Sequence, residues 1–458
     1  MPEDARYSEQ VVPAFIYASD LGCILERGTA FGRLPDYRII ALEAMRHLIL
    51  ILCATTGVHA YGQQSAADLV SAAIMVNPAV AGARQHVAEA QARVAELMGG
   101  KRFQLSFQGT LSESTGRVAE PPSIQTFGTA EASLIAPLPN LGRADAQVEQ
   151  AREQLAAARA QLREAELDVE FRASQAFVEV WRAREAETIA EENLAQATRQ
   201  VDDTRRRIDA GDVPVADLLK VQVPAAQDKA ALARARIARS VAIQNLNNLL
   251  QRPLDASLEL ASPEAGRTLS TGSDAAIAFA LQHSPGVLEE EANARAARAN
   301  VRFVRHARDL DFSLQLNHAR TTDITAYSYL STLSLAVSFP IADGGAAAQQ
   351  LKQAEAQVAQ AETAARQARQ DVTLAVRQAL LEVEGDEANA EATAATEEIA
   401  KQSLDKARQA YAAGLTTTRD VLDAQLVYSQ VRVEANSARY DLSIARAHLK
   451  LVMGGSLP

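Results

Sequence analysis

The feature that most limits what this chain can fold into is a pair of very long stretches without helix breakers. Positions 143–210 contain no Pro or Gly, and positions 346–413 contain only Gly385. Each stretch has about 68 residues, which as one helix would measure about 100 Å. Apolar residues recur at steps of three and four through the first stretch. Helices of this length predict coiled-coil-like packing rather than an ordinary globular core.

The two long stretches belong to two copies of one larger pattern. The segment AADLVSAAIMVNPAV at 66–80 aligns without a gap with SDAAIAFALQHSPGV at 273–287. Such internal similarity indicates a repeated architecture. The chain is therefore divided into a first repeat at 61–251, a linker at 252–273, a second repeat at 274–453 and a tail at 454–458. Each repeat is expected to run helix, strand, hairpin loop, strand, very long helix, turn and helix.

Each repeat also carries two segments in which apolar and polar residues alternate. FQLSFQGTLS starts at Phe103, and its counterpart FSLQLN starts at Phe312. The second segments read ASLIAPLPN and LSLAVSFPI. Alternation with period two predicts half-buried strands. We expect strands at about 102–112, 127–138, 310–319 and 329–341, and long helices at about 142–210 and 345–413.

Residues 45–60 have the order of a secretory signal peptide. A basic start, Met45-Arg46-His47, precedes the short apolar run LILILCATTG and ends at Val58-His59-Ala60. Because signal peptides begin at the initiator, residues 1–44 are interpreted as an upstream extension. The alternative is an ordinary buried helix. Cys53 follows LIL, which is a poor lipoprotein cleavage site, so no acylated N-terminus is expected.

Composition excludes several classes of function. The net charge of -11 argues against nucleic acid as a partner. Both cysteines lie in the first sixty residues, so the repeats have no thiols for metal binding. The seven histidines have no metal-ligand spacing, and no phosphate loop or nucleophile motif is present. We expect neither an enzyme nor a cofactor.

The strands predict a membrane protein. Segments of about 9–11 residues with one apolar and one polar face suit a membrane-spanning β-barrel. Four strands cannot close a barrel, and open edges in hydrocarbon would leave backbone groups unsatisfied. Several chains must therefore share one barrel, and three would supply twelve strands. A soluble helical bundle with incidental hairpins is the alternative.

The sequence resembles the TolC family of outer-membrane export ducts over about 66–453. The resemblance rests on the paired repeats ending in Asn77-Pro78 and Ser284-Pro285, the Pro-to-Gly approach to each long helix, and YAAGLTTTRDVLDAQ at 411–425. It implies an α+β membrane protein with two tandem repeats, forming a homotrimeric 12-stranded β-barrel continued by a periplasmic α-helical barrel. It also implies that helix ends close the inner mouth.

The resemblance further implies a periplasmic gate. Asp420 and Asp423 match an aspartate pair that lines the entrance in the family. Six carboxylates around one axis would favour cations, and their repulsion is expected to raise some pKa values. A solvated helix start with favourable dipole placement is the alternative interpretation.

A latch is also implied by the resemblance. Tyr411 matches a tyrosine that helps to hold the entrance shut, with Asp217 as its expected partner. Thr416 replaces an arginine of the family's type member, so the latch is expected to be weaker or differently wired. The turns at Gly211, Pro214, Gly414 and Leu415 are the expected docking sites for a partner.

These features predict a passive trimeric duct in the Gram-negative outer membrane, with its helices in the periplasm. Expected partners are membrane lipid, a periplasmic membrane-fusion adaptor and an inner-membrane ABC or RND transporter. Type I secretion of a polypeptide such as a toxin is favoured because no acylation site is expected. A small-molecule or multidrug efflux duct is the alternative. A periplasmic coiled-coil tether without a pore, and an adhesin-like trimeric passenger, are rivals from other classes.

Overall fold

A computed structural model describes residues 65–116, 123–138, 142–211, 213–261, 272–323 and 327–456. The proposed upstream extension at 1–44, the signal peptide at 45–60 and part of the linker lie outside these residues. In chain order the elements are α1 (Ala66–Val76), α2 (Pro78–Gly99), β1 (Gln104–Gly116), β2 (Ser123–Pro137), α3 (Arg143–Asp209), α4 (Ala216–Leu249), α5 (Ser273–His283), α6 (Pro285–Arg305), β3 (Asp311–Asp323), β4 (Tyr327–Ser338), α7 (Ala346–Ala412) and α8 (Thr418–Val452). From the first strand of each repeat onwards, the predicted order of two strands, a very long helix, a turn and a helix is confirmed in both repeats.

Each repeat opens with two helices, whereas the sequence analysis predicted one. Asn77 separates α1 from α2, and Ser284 separates α5 from α6; both residues are extended. Pro78 and Pro285 follow them and begin the next helices. A proline disfavours the helical conformation in the residue before it and cannot donate to the preceding turn, so the helix breaks there.

No described helix is by itself long and apolar enough to span a bilayer. The pair α1 and α2, bent by 53°, meets the length and composition criteria only when the two are taken together.

The four strands form one antiparallel sheet in the order β1-β2-β3-β4. Both hairpins extend beyond the alternating segments, because β1 runs to Gly116 and β3 to Asp323. Residues with turn-like composition, such as Ser114 and Thr115, continue the ladder by pairing with Gln125 and Ile124. The strands therefore reach past the apolar band that made them recognisable in the sequence.

The strand register separates the side chains of this sheet into apolar and polar rows. One row crosses all four strands as Leu105, Leu134, Leu316 and Leu333. The next row crosses them as Ser106, Ser133, Asn317 and Thr332, and the first two hydroxyl oxygens lie 2.6 Å apart. Because successive side chains point to opposite faces, one face of the sheet is apolar and the other polar.

The second strand of each hairpin, β2 or β4, leads into a very long helix through a left-handed glycine. Gly142 precedes α3 with φ 98°, and Gly345 precedes α7 with φ 87°. Glycine adopts such angles without a steric penalty. At Gly142 an added Cβ would also lie 3.3 Å from the His306 Nε2 atom. Both long helices have 67 residues, at the places where the sequence predicted them.

The helices pack side by side, and α3 lies at the centre. It contacts α1, α2, α4, α6 and α8, whereas α7 contacts α5, α6 and α8. One core cluster joins α1, α3 and α4 around Val169 and Leu246, and Tyr440 of α8 also belongs to it. The other joins α5, α7 and α8 around Val376 and Leu449. Among the helices that follow the strands, α4 contacts α3, α3 contacts α8, and α8 contacts α7. In this order α4 and α7 are the two outermost helices.

Candidate functional site

The site predicted from the sequence lies at the two helix–turn–helix tips, far from the strands. In the second tip, Gly414 has φ 75° and its N–H donates to the Tyr411 carbonyl at 3.0 Å. The Leu415 N–H donates to the Ala410 carbonyl at 2.9 Å. These two bonds form a Schellman motif, which satisfies the last carbonyls of α7. Leu415 is consequently held at the outside of the turn, with 82% of its surface exposed.

The first tip repeats this turn with a different helix start. Gly211 has φ 82°, and its N–H donates to the Ile208 carbonyl at 2.9 Å. Pro214 lies just before α4, and its carbonyl accepts from the Asp217 N–H at 3.0 Å. The residue that precedes α4, Val215, provides no side-chain cap. Among the described residues, the first tip therefore has no counterpart of the side-chain cap that begins α8.

Asp420 is engaged in capping α8. Its Oδ2 atom accepts from the Thr416 hydroxyl at 2.6 Å, and from the Thr417 hydroxyl at 2.6 Å and N–H at 2.9 Å. The Asp420 N–H donates back to the Thr417 hydroxyl oxygen at 3.3 Å, which completes a capping box. The Thr416 and Thr417 hydroxyl groups, followed by the Thr417 N–H, lower the pKa of Asp420 from 3.8 to about 2.

This lowering is opposite in direction to the rise predicted for a ring of carboxylates. The predicted rise would come from repulsion between the carboxylates of several chains around one axis, and the structure contains a single chain. In the chain itself, the capping interpretation of Asp420 accounts for its geometry. A role at a gate must act in addition to capping.

Asp423 lies one turn further along α8 and has a looser ion pair. Its Oδ2 atom is 3.7 Å from the Arg419 Nε atom, and both side chains are largely exposed. In the first repeat, Lys220 corresponds to Asp423 and donates to Asp217 at 2.7 Å. Exposed pairs of this kind contribute at most about 1 kcal/mol to stability. The two tips therefore differ in charge at matching positions.

The expected contact between Tyr411 and Asp217 is corrected by the structure. The Tyr411 hydroxyl accepts from Arg207 of α3 and from the Thr418 hydroxyl, the latter at 3.3 Å. The Arg207 guanidinium also lies over the Tyr411 ring, 5.0 Å from its centroid. Asp217 is instead paired with Lys220 within α4. Tyr411 thus joins the second tip to the first-repeat helix α3 through Arg207, for which the sequence analysis had no signal.

A metal centre finds no support at the tips. Among the described residues, no group of three or more His, Cys, Asp and Glu side chains is arranged to hold a metal ion.

Comparison with known proteins gives consistent matches in sequence and fold. The profile of the family described as "Outer membrane efflux protein" matches residues 69–251 and 276–455. The outer membrane efflux protein BepC of Brucella suis biovar 1 (strain 1330) is 27% identical over 301 residues, covering 64% of this chain and 64% of BepC. The match thus spans less than two thirds of that relative.

Solved structures match over more of the chain. The structure of CusC has a TM-score of 0.75 at 20% identity, covering 87% of this chain and 96% of CusC. The outer membrane protein VceC of Vibrio cholerae has a TM-score of 0.74 at 19% identity, covering 85% of this chain and 96% of VceC. At these identities the likeness establishes the fold, and the two family matches coincide with the two repeats.

Proposed function

Because the chain belongs to the outer membrane efflux protein family, whose members reside in the Gram-negative outer membrane with a periplasmic helical tunnel, we propose that it forms a passive, homotrimeric export duct. The observation that carries this proposal is the open four-stranded sheet with one apolar and one polar face. In a membrane such a sheet needs partners at both edges.

The outer elements of the chain fit a head-to-tail ring. At one side of the molecule β1 exposes Leu105, Phe107 and Leu111, and at the other β4 exposes Leu333 and Leu335. Pairing β1 of one copy with β4 of the next satisfies both sheet edges. A heterologous contact of this kind closes into a ring when the rotation permits. Three copies give the twelve strands expected from the family resemblance.

The helices have outer faces that suit the same ring. The outermost helix α4 exposes Leu219 and Ile237, and the opposite outermost helix α7 exposes Leu381 and Ile399. These large apolar side chains are more than half exposed in the single chain. Contact between α4 of one copy and α7 of the next would remove them from water and stabilise the helical tunnel.

The proposed partners meet the duct at its periplasmic tips. A duct without a nucleotide-binding motif depends on an inner-membrane ABC or RND transporter, reached through a periplasmic adaptor. Docking is proposed at the turns around Gly211, Pro214, Gly414 and Leu415. Exposed Leu415 and Val215, 82% and 66% exposed, offer apolar contacts there. Asp420 and Asp423 are proposed to line the entrance, with Tyr411 and Arg207 restraining it.

We propose a polypeptide cargo, with small-molecule efflux as the second candidate. The polypeptide cargo follows from the absence of a good acylation site at Cys53, and small-molecule efflux from the efflux name of BepC. The deciding experiment is deletion of the gene in its host, followed by analysis of the secreted proteins and of drug susceptibility. Loss of a secreted polypeptide with unchanged susceptibility supports the first cargo, and the reverse supports the second.

The duct itself is tested by single-channel recording of the purified mature protein in planar bilayers. We expect small, cation-selective unitary currents that lose selectivity when Asp420 and Asp423 are replaced by Ala. Replacing Glu355, an exposed acid near the start of α7 and so far from the turns, by Gln is the control and should leave selectivity unchanged. A coiled-coil tether would give no unitary current. An adhesin-like passenger would expose its helices to protease on intact cells.

A further inference from the structure

A cavity of about 750 Å³ lies beside the second tip, between α3, α4 and α8. Its apolar wall includes Val221, Pro224, Leu422 and Leu426. Its polar groups include Gln200 of α3 and Asp228 of α4. Small-molecule sites are typically concave, about 300–1,000 Å³ in volume, and mainly apolar with a few placed polar groups. The size and lining of this cavity fit that description.

One polar group in the wall is a hydrogen-bond donor without an acceptor. Along the contact between α3 and α8, Asn193 donates to Ser429 at 2.7 Å and Gln196 donates to Gln425 at 2.8 Å. Gln200 comes one turn later on α3, and its Nε2 atom is buried without a hydrogen-bond partner among the described residues. A buried unpaired donor costs about 1–3 kcal/mol. A ligand with a carbonyl oxygen at this point would satisfy it.

The other placed group is a carboxylate withdrawn from water. Burial raises the pKa of Asp228 above 3.8. Within the described part of the chain, Asp228 has no ion pair, whereas Asp217 and Asp423 in the same wall pair with Lys220 and Arg419. A partly buried carboxylate without a cation is a favourable partner for an ammonium group, which would form a charge-assisted hydrogen bond.

We propose that this cavity binds a small organic cation that carries an ammonium group, a carbonyl acceptor and an apolar body. The ammonium group pairs with Asp228, the carbonyl accepts from Gln200, and the apolar body lies against Leu422 and Leu426. A molecule seated there touches α4 of the first tip and α8 of the second. It therefore resists any movement that separates the two tips.

The test measures binding by titration calorimetry on the detergent-purified full-length mature protein. The probe is N-(4-aminobutyl)benzamide, which has all three features, and its neutral partner is N-butylbenzamide. We expect saturable binding of the first probe and none of the second. Asp228→Asn should weaken binding about tenfold or more, the loss expected for a hydrogen bond with a charged partner. Asp202→Asn, which removes a charge elsewhere on α3, should not change the affinity.

A second variant separates binding from folding. Gln200→Leu removes the unpaired donor while keeping the side-chain bulk, so it should raise the thermal unfolding temperature and yet weaken probe binding. Equal affinity of wild type and Asp228→Asn overturns the proposal. Absence of saturable heat at millimolar probe also overturns it. If Gln200→Leu abolishes adaptor capture and the probe does not bind, the cavity is a protein-docking surface instead. These measurements do not depend on conductance, so their failure leaves the duct proposal standing.

Discussion

The two long helices have the same length and the same place in their repeats, but they are buried very differently. Sixteen residues of α3 are buried and only six of α7. Among the described residues α3 exposes no large apolar side chain, whereas α7 exposes Leu374, Leu381 and Ile399. The long helix of the first repeat, α3, thus forms the centre of the chain. The long helix of the second repeat, α7, leaves an apolar face that is free to contact a neighbouring chain.

The difference in burial between α3 and α7 is tested most directly by placing an aspartate in each helix, and the larger effect is expected in α3. Val169 of α3 is 1% exposed, so Val169→Asp buries an unpaired carboxylate and should cost about 3–5 kcal/mol of folding free energy. We expect little or no folded protein, measured as yield and circular dichroism after purification. A well-folded Val169→Asp variant would show that α3 is not the centre of the chain.

Leu381→Asp in α7 should have a different effect. Leu381 is 67% exposed in the single chain, so the chain should fold while assembly weakens. Loss of one Leu from an interface costs about 1.5–3 kcal/mol per contact. Light scattering coupled to size exclusion would report the loss of trimer. Asn389→Asp, on an exposed part of the same helix, is the control, and an intact Leu381→Asp trimer would place the interface elsewhere.

The two tips extend the comparison to the restraint formed by Tyr411. Tyr411→Phe removes the acceptor for Arg207 and Thr418 but keeps the ring under the guanidinium. A hydrogen bond with a charged partner contributes about 1.5–3 kcal/mol, so the open probability should rise about tenfold if the bond exists only in the closed state. Single-channel recording measures it. Tyr428→Phe is the matched control, and no difference between the two variants would remove Tyr411 from the gate.

The smallest effect is expected at the side-chain cap of α8, which the described start of α4 lacks. Thr417→Ala should destabilise the start of α8 by about 1 kcal/mol. Hydrogen exchange should then become as fast at the start of α8 as at the start of α4. Thr396→Ala, at an exposed position in the second half of α7, should leave exchange at both tips unchanged. If the α8 start already exchanges as fast as the α4 start in the wild type, the cap makes no difference between the tips.

The cap should also depend on pH in a defined direction. The pKa of Asp420 is lowered from 3.8 to about 2, so the ionised carboxylate stabilises the first turn of α8 above about pH 4. That stabilisation is lost as the pH falls from about 4 towards 2. The protection factor at the α8 start, which is the observed exchange rate corrected for the pH dependence of intrinsic exchange, should fall across this range in the wild type. It should stay level in Asp420→Asn, and a wild-type protection factor that does not fall would contradict the assigned hydrogen bonds.

Sequence patterns sufficed for the fold because periodicity and breakers repeat. The alternation around Leu105 and Leu316, and the absence of Pro and Gly from the long stretches, specify strands and helices directly. The extension of β1 to Gly116 was missed because backbone pairing continues where the side chains resemble a loop. The breaks at Asn77 and Ser284 were signalled by the prolines that follow them.

The site was less predictable because its contacts join residues far apart in sequence. Arg207 meets Tyr411 across 204 positions, and no local pattern announces that pairing. The cap at Thr417 and Asp420 was readable, because threonine followed three residues later by an acid is a capping signal. The unpaired Gln200 depends on which α8 side chain lies opposite, which only the packing determines.

The order of the strands determines how the diameter of a barrel built from this chain depends on the number of subunits. Each copy contributes four strands whose two free edges lie on opposite sides of the sheet. With strands about 4.8 Å apart and tilted by about 40°, each copy adds about 25 Å of circumference, or about 8 Å of diameter. The diameter of such a barrel can change only in steps of one whole subunit. Finer control over what passes through it must therefore come from side chains and helix ends.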